Sequence, residues 1–170
     1  MENKQKIWTK TLLNCYSYLE TICGAIDKIV INYGIGSYGS NQIISVANKI
    51  LSLISRKKFL INTKLIIDNV LNNISNKSAR ILTVRYIDKV KTETASKVLN
   101  MSYPNFFRRL NLSVDEFATE LKKQGYDSKV LFEIFGGEGW IMEIYNSYSK
   151  KNIKNDYENI NLLSIALNSI

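Results

Sequence analysis

The chain has 170 residues, a formal net charge of +8, no histidine and a single proline. This length accommodates one ordinary domain or two small helical units with a shared core, and it excludes a large multidomain enzyme. With no histidine and only two cysteines, which lack the spacing of metal ligands, the sequence predicts no catalytic, metal or cofactor site.

Basic charge is concentrated in the first three quarters of the chain. Residues 1–76 hold 9 basic and 4 acidic residues, and residues 77–124 hold 10 and 5, so each segment has a net charge of +5. Residues 127–170 hold 4 basic and 6 acidic residues, a net charge of −2. This distribution favours a polyanionic partner, and nucleic acid is the commonest polyanion in a cytoplasm.

No apolar run approaches the roughly 20 residues that cross a bilayer, and residues 1–6 lead into no signal-peptide core. We therefore expect a cytoplasmic protein with no membrane partner. Cys15 and Cys23 lie eight residues apart in a predicted helix, about 12 Å along its axis and too far for a disulfide. We expect both to be reduced thiols in the core.

An apolar stripe with alternating spacings of four and three predicts the first helix. Its members are Trp8, Leu12, Cys15, Leu19, Ile22, Ile26, Ile29 and Tyr33. Such a heptad-like pattern suits the seam of a homodimer, and it suits packing against the following helices equally well.

A glycine-rich stretch follows this helix. Gly34, Gly36 and Gly39 have the spacing G-x-G-x-x-G of a dinucleotide-binding loop, if residues 29–33 form a strand. The acidic residue that such a site needs about 20 positions later is missing. A turn is the preferred interpretation, and it leads to a second helix capped by Ser40 with the stripe Ile43, Ala47, Ile50 and Ile54.

The basic cluster Arg56, Lys57 and Lys58 is predicted to be a corner before a third helical segment. With Lys64 it is a candidate phosphate contact, although a solvated corner is the simpler interpretation. The buried stripe of the third segment is predicted to be Leu60, Ile67, Leu71 and Ile74. Residues 1–75 are thus predicted to be a helical support or dimerisation region.

Residues 76–126 contain the strongest indication of function. Three helices are predicted at residues 79–87, 93–99 and 103–123. The strings RILTVRYID from Arg80, TETASKVLNMS from Thr92 and FFRRL from Phe106 resemble region 4 of the sigma-70 family and related phage and bacterial regulators. The resemblance implies a helix-turn-helix that binds double-stranded DNA to regulate transcription, with RNA polymerase as a second partner.

Individual residues in this unit have predicted positions. Ile81, Leu82, Val84 and Ile87 supply the packing face of its first helix, and Arg85 and Tyr86 match an Arg-Tyr-like pair of the family. Ala95 and Ser96 permit a close helix crossing. Asn100 occupies a turn with positive φ, Met101 enters the core, Ser102 caps the next helix, and Pro104 lies in its first turn.

The last helix of the unit is the predicted recognition helix. Phe106 and Leu110 are four residues apart and are expected to face inward. The DNA-binding candidates on or beside the outer surface are Tyr103, Asn105, Phe107, Arg108 and Arg109. A helical adaptor that binds RNA polymerase or another regulator without reading DNA is the alternative.

Residues 127–170 are predicted to form a helical tail. A short helix at residues 129–135 precedes the glycine-rich breaker at residues 136–139, and Trp140, Ile144 and Tyr148 mark a second helix. A last amphipathic stretch is predicted at residues 157–167. The complete prediction is an all-α protein: an N-terminal helical hairpin or bundle, a sigma-region-4-like helix-turn-helix and a helical tail.

Overall fold

The computed structural model describes residues 4–36 and 43–150, and all regular elements in these ranges are helical. They are α1 (Lys4–Gly36), α2 (Ile43–Asn73), α3 (Asn76–Leu82), a π-helical turn (Thr83–Ile87), α4 (Thr92–Val98), α5 (Tyr103–Lys123), α6 (Ser128–Phe135) and α7 (Gly139–Ser149). The all-α prediction is therefore confirmed for this part of the chain. None of the helices described has the length and apolar character needed to cross a lipid bilayer.

Helix α1 forms as its apolar stripe predicts. The stripe is buried from Trp8 to Ile26, whereas Ile29 and Tyr33 are half-buried. The Trp8 ring lies with its centroid 4.4 Å from that of Tyr145 and 5.9 Å from that of Phe135. Of the two alternatives for this stripe, a dimer seam or packing within the chain, the structure shows packing within the chain.

Helix α2 is continuous, so the predicted corner at Arg56, Lys57 and Lys58 is wrong. Residues 43–73 contain neither glycine nor proline, and nothing interrupts the helical hydrogen bonds. Leu60 and Ile67 are buried and Ile74 follows the helix in the core, as predicted, while Leu71 is half-buried.

The predicted stripe of the first half of α2 is also wrong. Ile43 and Ile54 are 54% and 50% exposed, and Ala47 is exposed too; only Ile50 of this set is half-buried. Burial on α2 begins instead at Leu53. Apolar residues occupy two faces of α2, and helical periodicity alone does not identify the face that meets α1.

The basic cluster of α2 is largely engaged within the chain. Lys57 Nζ lies 2.6 Å from Asp27 Oδ1, and Arg56 lies 3.4 Å from Glu138. Lys64 forms an ion pair with Glu20. These partners reduce the support for phosphate binding by this cluster. The two lysine pairs are exposed, and exposed ion pairs contribute little to stability.

The glycine stretch does not have the structure of a dinucleotide-binding loop. Residues 29–33 are helical, and Gly34 and Gly36 belong to the same helix, α1. The strand that must precede such a loop is thus replaced by a helix. Gly39 and Ser40 lie outside the described residues.

Both cysteines are free, as expected. Cys15 is buried in the stripe of α1, and Cys23 is half-buried. Burial raises the pKa of the Cys15 thiol, because the charged thiolate is poorly solvated in an apolar environment. Cys15 therefore acts as a small core side chain.

The two helices predicted at residues 129–135 and around Trp140 to Tyr148 are confirmed as α6 and α7. Asp127 begins α6 by accepting hydrogen bonds from the backbone N–H groups of Lys129 and Val130. Trp140 and Ile144 are buried against α1 and its neighbours. The predicted stretch at residues 157–167 lies outside the described residues.

A carboxylate on α5 holds the start of α3 in place. Glu116 accepts hydrogen bonds from the backbone N–H of Ser75 at 2.7 Å, from the Ser75 hydroxyl at 3.0 Å and from the Ser78 hydroxyl at 2.5 Å. Partial burial alone raises the pKa of Glu116, but these hydrogen bonds outweigh it and bring the pKa below its ordinary value of 4.5.

We expect Glu116→Ala to lower the free energy of unfolding by about 1–3 kcal/mol at neutral pH, because three donors lose a charged acceptor. Since the pKa of Glu116 is lowered by folding, its stabilisation is present above the ordinary pKa and is lost as pH falls through the folded value. Urea denaturation at a series of pH values should therefore show the difference from the wild type shrinking in acid. Glu133→Ala, at an exposed position of α6, is the control, and a difference independent of pH would contradict this prediction.

Candidate nucleic-acid interface

The first helix predicted within residues 76–126 consists of α3 and the π-helical turn. Ile81 and Leu82 are buried and Val84 and Ile87 are half-buried, so the predicted packing face is confirmed. The Asp88 N–H donates to the Thr83 carbonyl at 2.9 Å, the five-residue step of a π-helix. No feature of the sequence predicted this turn.

The predicted Arg-Tyr pair occupies this π-helical turn. Tyr86 is 7% exposed and belongs to the core, while Arg85 lies with its guanidinium carbon 5.6 Å from the Tyr86 ring centroid. Two residues beyond the turn, Lys89 has a φ of 54° and its Nζ lies 3.3 Å from the ring centroid of Tyr18 on α1. This contact links the segment between the π-helical turn and α4 to α1.

Helices α4 and α5 are joined by a tight turn with Asn100 at its centre. Asn100 has a φ of 51°, as its position in the sequence predicted. The Asn100 N–H donates to the Lys97 carbonyl and the Met101 N–H donates to the Ser96 carbonyl. This is the hydrogen-bonding pattern of a Schellman motif, in which asparagine takes the position that glycine usually fills. Met101 packs against the core, also as predicted.

Small side chains lie at the predicted crossing. Ala95 and Ser96 are buried, and the Ser96 hydroxyl donates to the Glu93 carbonyl at 2.7 Å within α4. A larger side chain at Ala95 would have to displace its neighbours, since its exposure is 0%. The next residues of α4, Lys97 and Val98, are exposed beside the turn.

The predicted side-chain cap at Ser102 is wrong. Ser102 has the extended backbone of an N-cap residue, and its carbonyl accepts from the Phe106 N–H, but its hydroxyl makes no capping hydrogen bond. A capping side chain normally accepts from the second or third residue of the helix. Here the second residue is Pro104, which has no N–H, so one of these two donors is missing.

The first half of α5 separates inward from outward residues as predicted. Phe106 and Leu110 are buried, whereas Tyr103 is 52% and Phe107 is 47% exposed. Arg108 and Arg109 are exposed, and Asn105 is half-buried. At about 100° per residue, Arg108 lies about 200° around the helix from Phe106. Four of the five candidates are thus exposed on one short helical segment, and Asn105 lies half-buried beside them.

The acidic side chains of α5 all lie in its second half. Asp115 pairs with Lys6 at 2.5 Å, Glu116 binds the serines of α3, and Glu120 contacts Lys123 and Gln124. Residues 103–112 contain no acidic residue. The exposed surface at the start of α5 is therefore positively charged.

Arg108 and Arg109 form no ion pair with the described residues. Arg108 Nη2 lies 3.5 Å from Asn105 Oδ1, which is a weak hydrogen bond at most. Their donors are consequently available to an anion without the loss of an internal salt bridge.

Residues 41–118 match the sequence model of a family described as "Protein of unknown function (DUF1492)". The match ends within α5 and includes α2, α3, the π-helical turn, α4 and all five candidate DNA contacts. The chain matches no curated protein and no solved structure.

Asn100 offers a test of the turn between α4 and α5. We expect Asn100→Ala to lower the free energy of unfolding by about 1 kcal/mol, because positive φ brings Cβ close to the following carbonyl oxygen. Asn100→Gly should be as stable as the wild type or slightly more stable. Chemical denaturation measures both values.

The same pair of substitutions at Asn111, an exposed helical position of α5, is the matched control. There the order should reverse, with alanine more stable than glycine by about 1 kcal/mol, because glycine is a poor helix former. An identical order at the two positions would contradict the role assigned to the backbone of Asn100.

Proposed function

We propose that the protein is a DNA-binding regulator of transcription in which α4 and α5 act as a helix-turn-helix. The observation that carries this proposal is the pair Arg108 and Arg109, which lies exposed on the first half of α5, forms no ion pair within the described residues and has no acidic neighbour in residues 103–112. An α-helix with such a surface suits the major groove of duplex DNA.

The chemistry of the five side chains agrees with this role. An arginine recognises guanine through its O6 and N7 atoms or anchors a phosphate, and an asparagine recognises adenine. Phe107 offers an apolar surface of the kind that contacts a thymine methyl group. The Tyr103 hydroxyl suits a phosphate at the start of the helix.

The resemblance of residues 77–124 to region 4 of the sigma-70 family supports the same function. The turn with positive φ at Asn100 and the buried small residues Ala95 and Ser96 are compatible with a helix-turn-helix. Binding to a promoter, rather than catalysis, would then be the mode of action, with no cofactor required.

Binding to RNA polymerase or another regulator without DNA recognition is the second candidate. It is favoured by the exposure of Tyr103 and Phe107, since large exposed aromatic side chains are enriched in protein interfaces. In that case, the aromatic residues rather than the arginines would dominate binding.

We expect Arg108→Ala combined with Arg109→Ala to weaken binding to duplex DNA by at least about tenfold, and to reduce the steepness of the salt dependence, because fewer counterions are released. The pair Lys122→Ala and Lys123→Ala is the matched control. It removes the same charge from the far end of α5 and should have a much smaller effect. Fluorescence anisotropy with a labelled duplex at several salt concentrations measures both.

The target is obtained by selection of genomic DNA fragments on the purified protein at moderate salt, followed by sequencing. An enriched sequence that is lost in the double arginine variant establishes recognition through α5. Recovery of fragments without an enriched sequence contradicts sequence-specific recognition. Retention of a polymerase pull-down by the arginine variant, and its loss in Tyr103→Ala with Phe107→Ala, would favour the adaptor.

A further inference from the structure

Helix α2 has a second apolar face that no other described element covers. Five large side chains on this face are substantially exposed: Ile44 (79%), Leu51 (61%), Ile54 (50%), Ile61 (44%) and Leu65 (52%). Ala47 and Lys58 lie on the same face and are also exposed. We call these seven residues the outer stripe of α2.

The spacing of the outer stripe is that of a coiled-coil seam. Its positions 44, 47, 51, 54, 58, 61 and 65 alternate steps of three and four over three heptads. All are apolar except Lys58. At about 100° per residue, the centre of this stripe lies roughly opposite the buried side of α2, which consists of Leu53, Leu60, Thr63, Ile67 and Val70.

The stripe is complementary to itself when two copies of α2 run antiparallel. One alignment places Ile44 against Ile61 of the second copy, Leu51 against Ile54 and Ala47 against Lys58. The four large apolar side chains at positions 44, 51, 54 and 61 then each meet another, and Leu65 extends beyond the paired segment. The long side chain of Lys58 lies over Ala47, the smallest residue of the stripe. Its ammonium group can reach solvent at the edge of the seam.

A parallel alignment is less favourable, because it places Lys58 beside Lys58 of the second copy in the same layer. Like charges in a seam repel each other. Lys57 and Lys64, which flank the stripe, are already paired with Asp27 and Glu20. They therefore add little repulsion to an antiparallel pair.

We propose that a second copy of this chain docks on the outer stripe, with the two α2 helices antiparallel. This interface differs from the seam expected between Trp8 and Tyr33, which is buried inside the chain up to Ile26. The proposed dimer does not depend on the proposed function. Dimerisation is measured in the absence of DNA, whereas DNA binding is tested by substitution of Arg108 and Arg109.

The test is sedimentation equilibrium of the full chain over a wide range of concentration. The wild type should be a dimer, and Leu51→Glu combined with Ile54→Glu should raise the dissociation constant at least about 100-fold by placing carboxylates in the centre of the seam. Both residues are exposed, so circular dichroism should show an unchanged helical content. Phe132→Glu, at a residue of α6 with 54% exposure, is the control and should remain dimeric.

Disulfide cross-linking tests the alignment. Ala47→Cys combined with Lys58→Cys should give a covalent dimer under mild oxidation, because the two positions meet across an antiparallel seam. Ala47→Cys alone should give none, since the two copies of residue 47 are then about 16 Å apart along the axis. A cross-link through Ala47→Cys alone would overturn the antiparallel alignment. A monomeric wild type, or a glutamate variant that dimerises as well as the wild type, would overturn the proposal.

Discussion

The packing of the other helices around the first half of α1 is the constraint on which the structure depends. Trp8 contacts Phe135 of α6 and Tyr145 of α7, and the buried stripe continues through Leu12, Cys15 and Leu19. Helices from before and after the candidate interface thus share one core with it. Truncation of Trp8 would leave a cavity in this shared core and destabilise it, because close-packed interiors collapse only partially around a lost side chain.

The position of α5 follows from this arrangement through two kinds of contact. Its apolar face, with Phe106, Leu110 and Phe117, enters the same core. Its polar anchors lie in its second half, where Asp115 pairs with Lys6 and Glu116 binds the start of α3. The first half of α5 is consequently fixed by the core under its apolar face and by the anchored second half of the same helix. Its outer side is exposed to solvent.

Strong periodicity and local turn chemistry made much of the fold predictable. The stripe of α1 was identified because its single apolar face repeats over many turns, and Asn100 was identified because few residues tolerate positive φ. Prediction failed for the first half of α2, where Ile43, Ala47, Ile50 and Ile54 form a regular stripe that is mostly exposed. Two apolar faces on one helix satisfy the same periodicity, and only the position of α1 decides between them.

Other features of the fold are not indicated by the local amino-acid sequence. The hydrogen bonds of Glu116 join residues 38 and 41 positions apart, and the π-helical turn at residues 83–87 contains no glycine or proline that would mark it in the sequence. The surface positions of the candidate DNA contacts were nevertheless predictable from the helical spacing of Phe106 and Leu110. The identity of the inward residues determines which side of a helix remains outside.

The two halves of α5 contribute differently to the stability of the described structure. Arg108 and Arg109 contribute no ion pair to the described structure, and surface substitutions away from buried contacts usually change stability little. Substitution of these two arginines should therefore leave the core undisturbed. About two turns later the opposite holds, because substitution of Glu116 would affect α3 as well as α5. Helix α5 thus combines an exposed basic first half with a second half that anchors α3, and the boundary between them lies near residue 113, where the buried Ser113 hydroxyl donates to the Arg109 carbonyl.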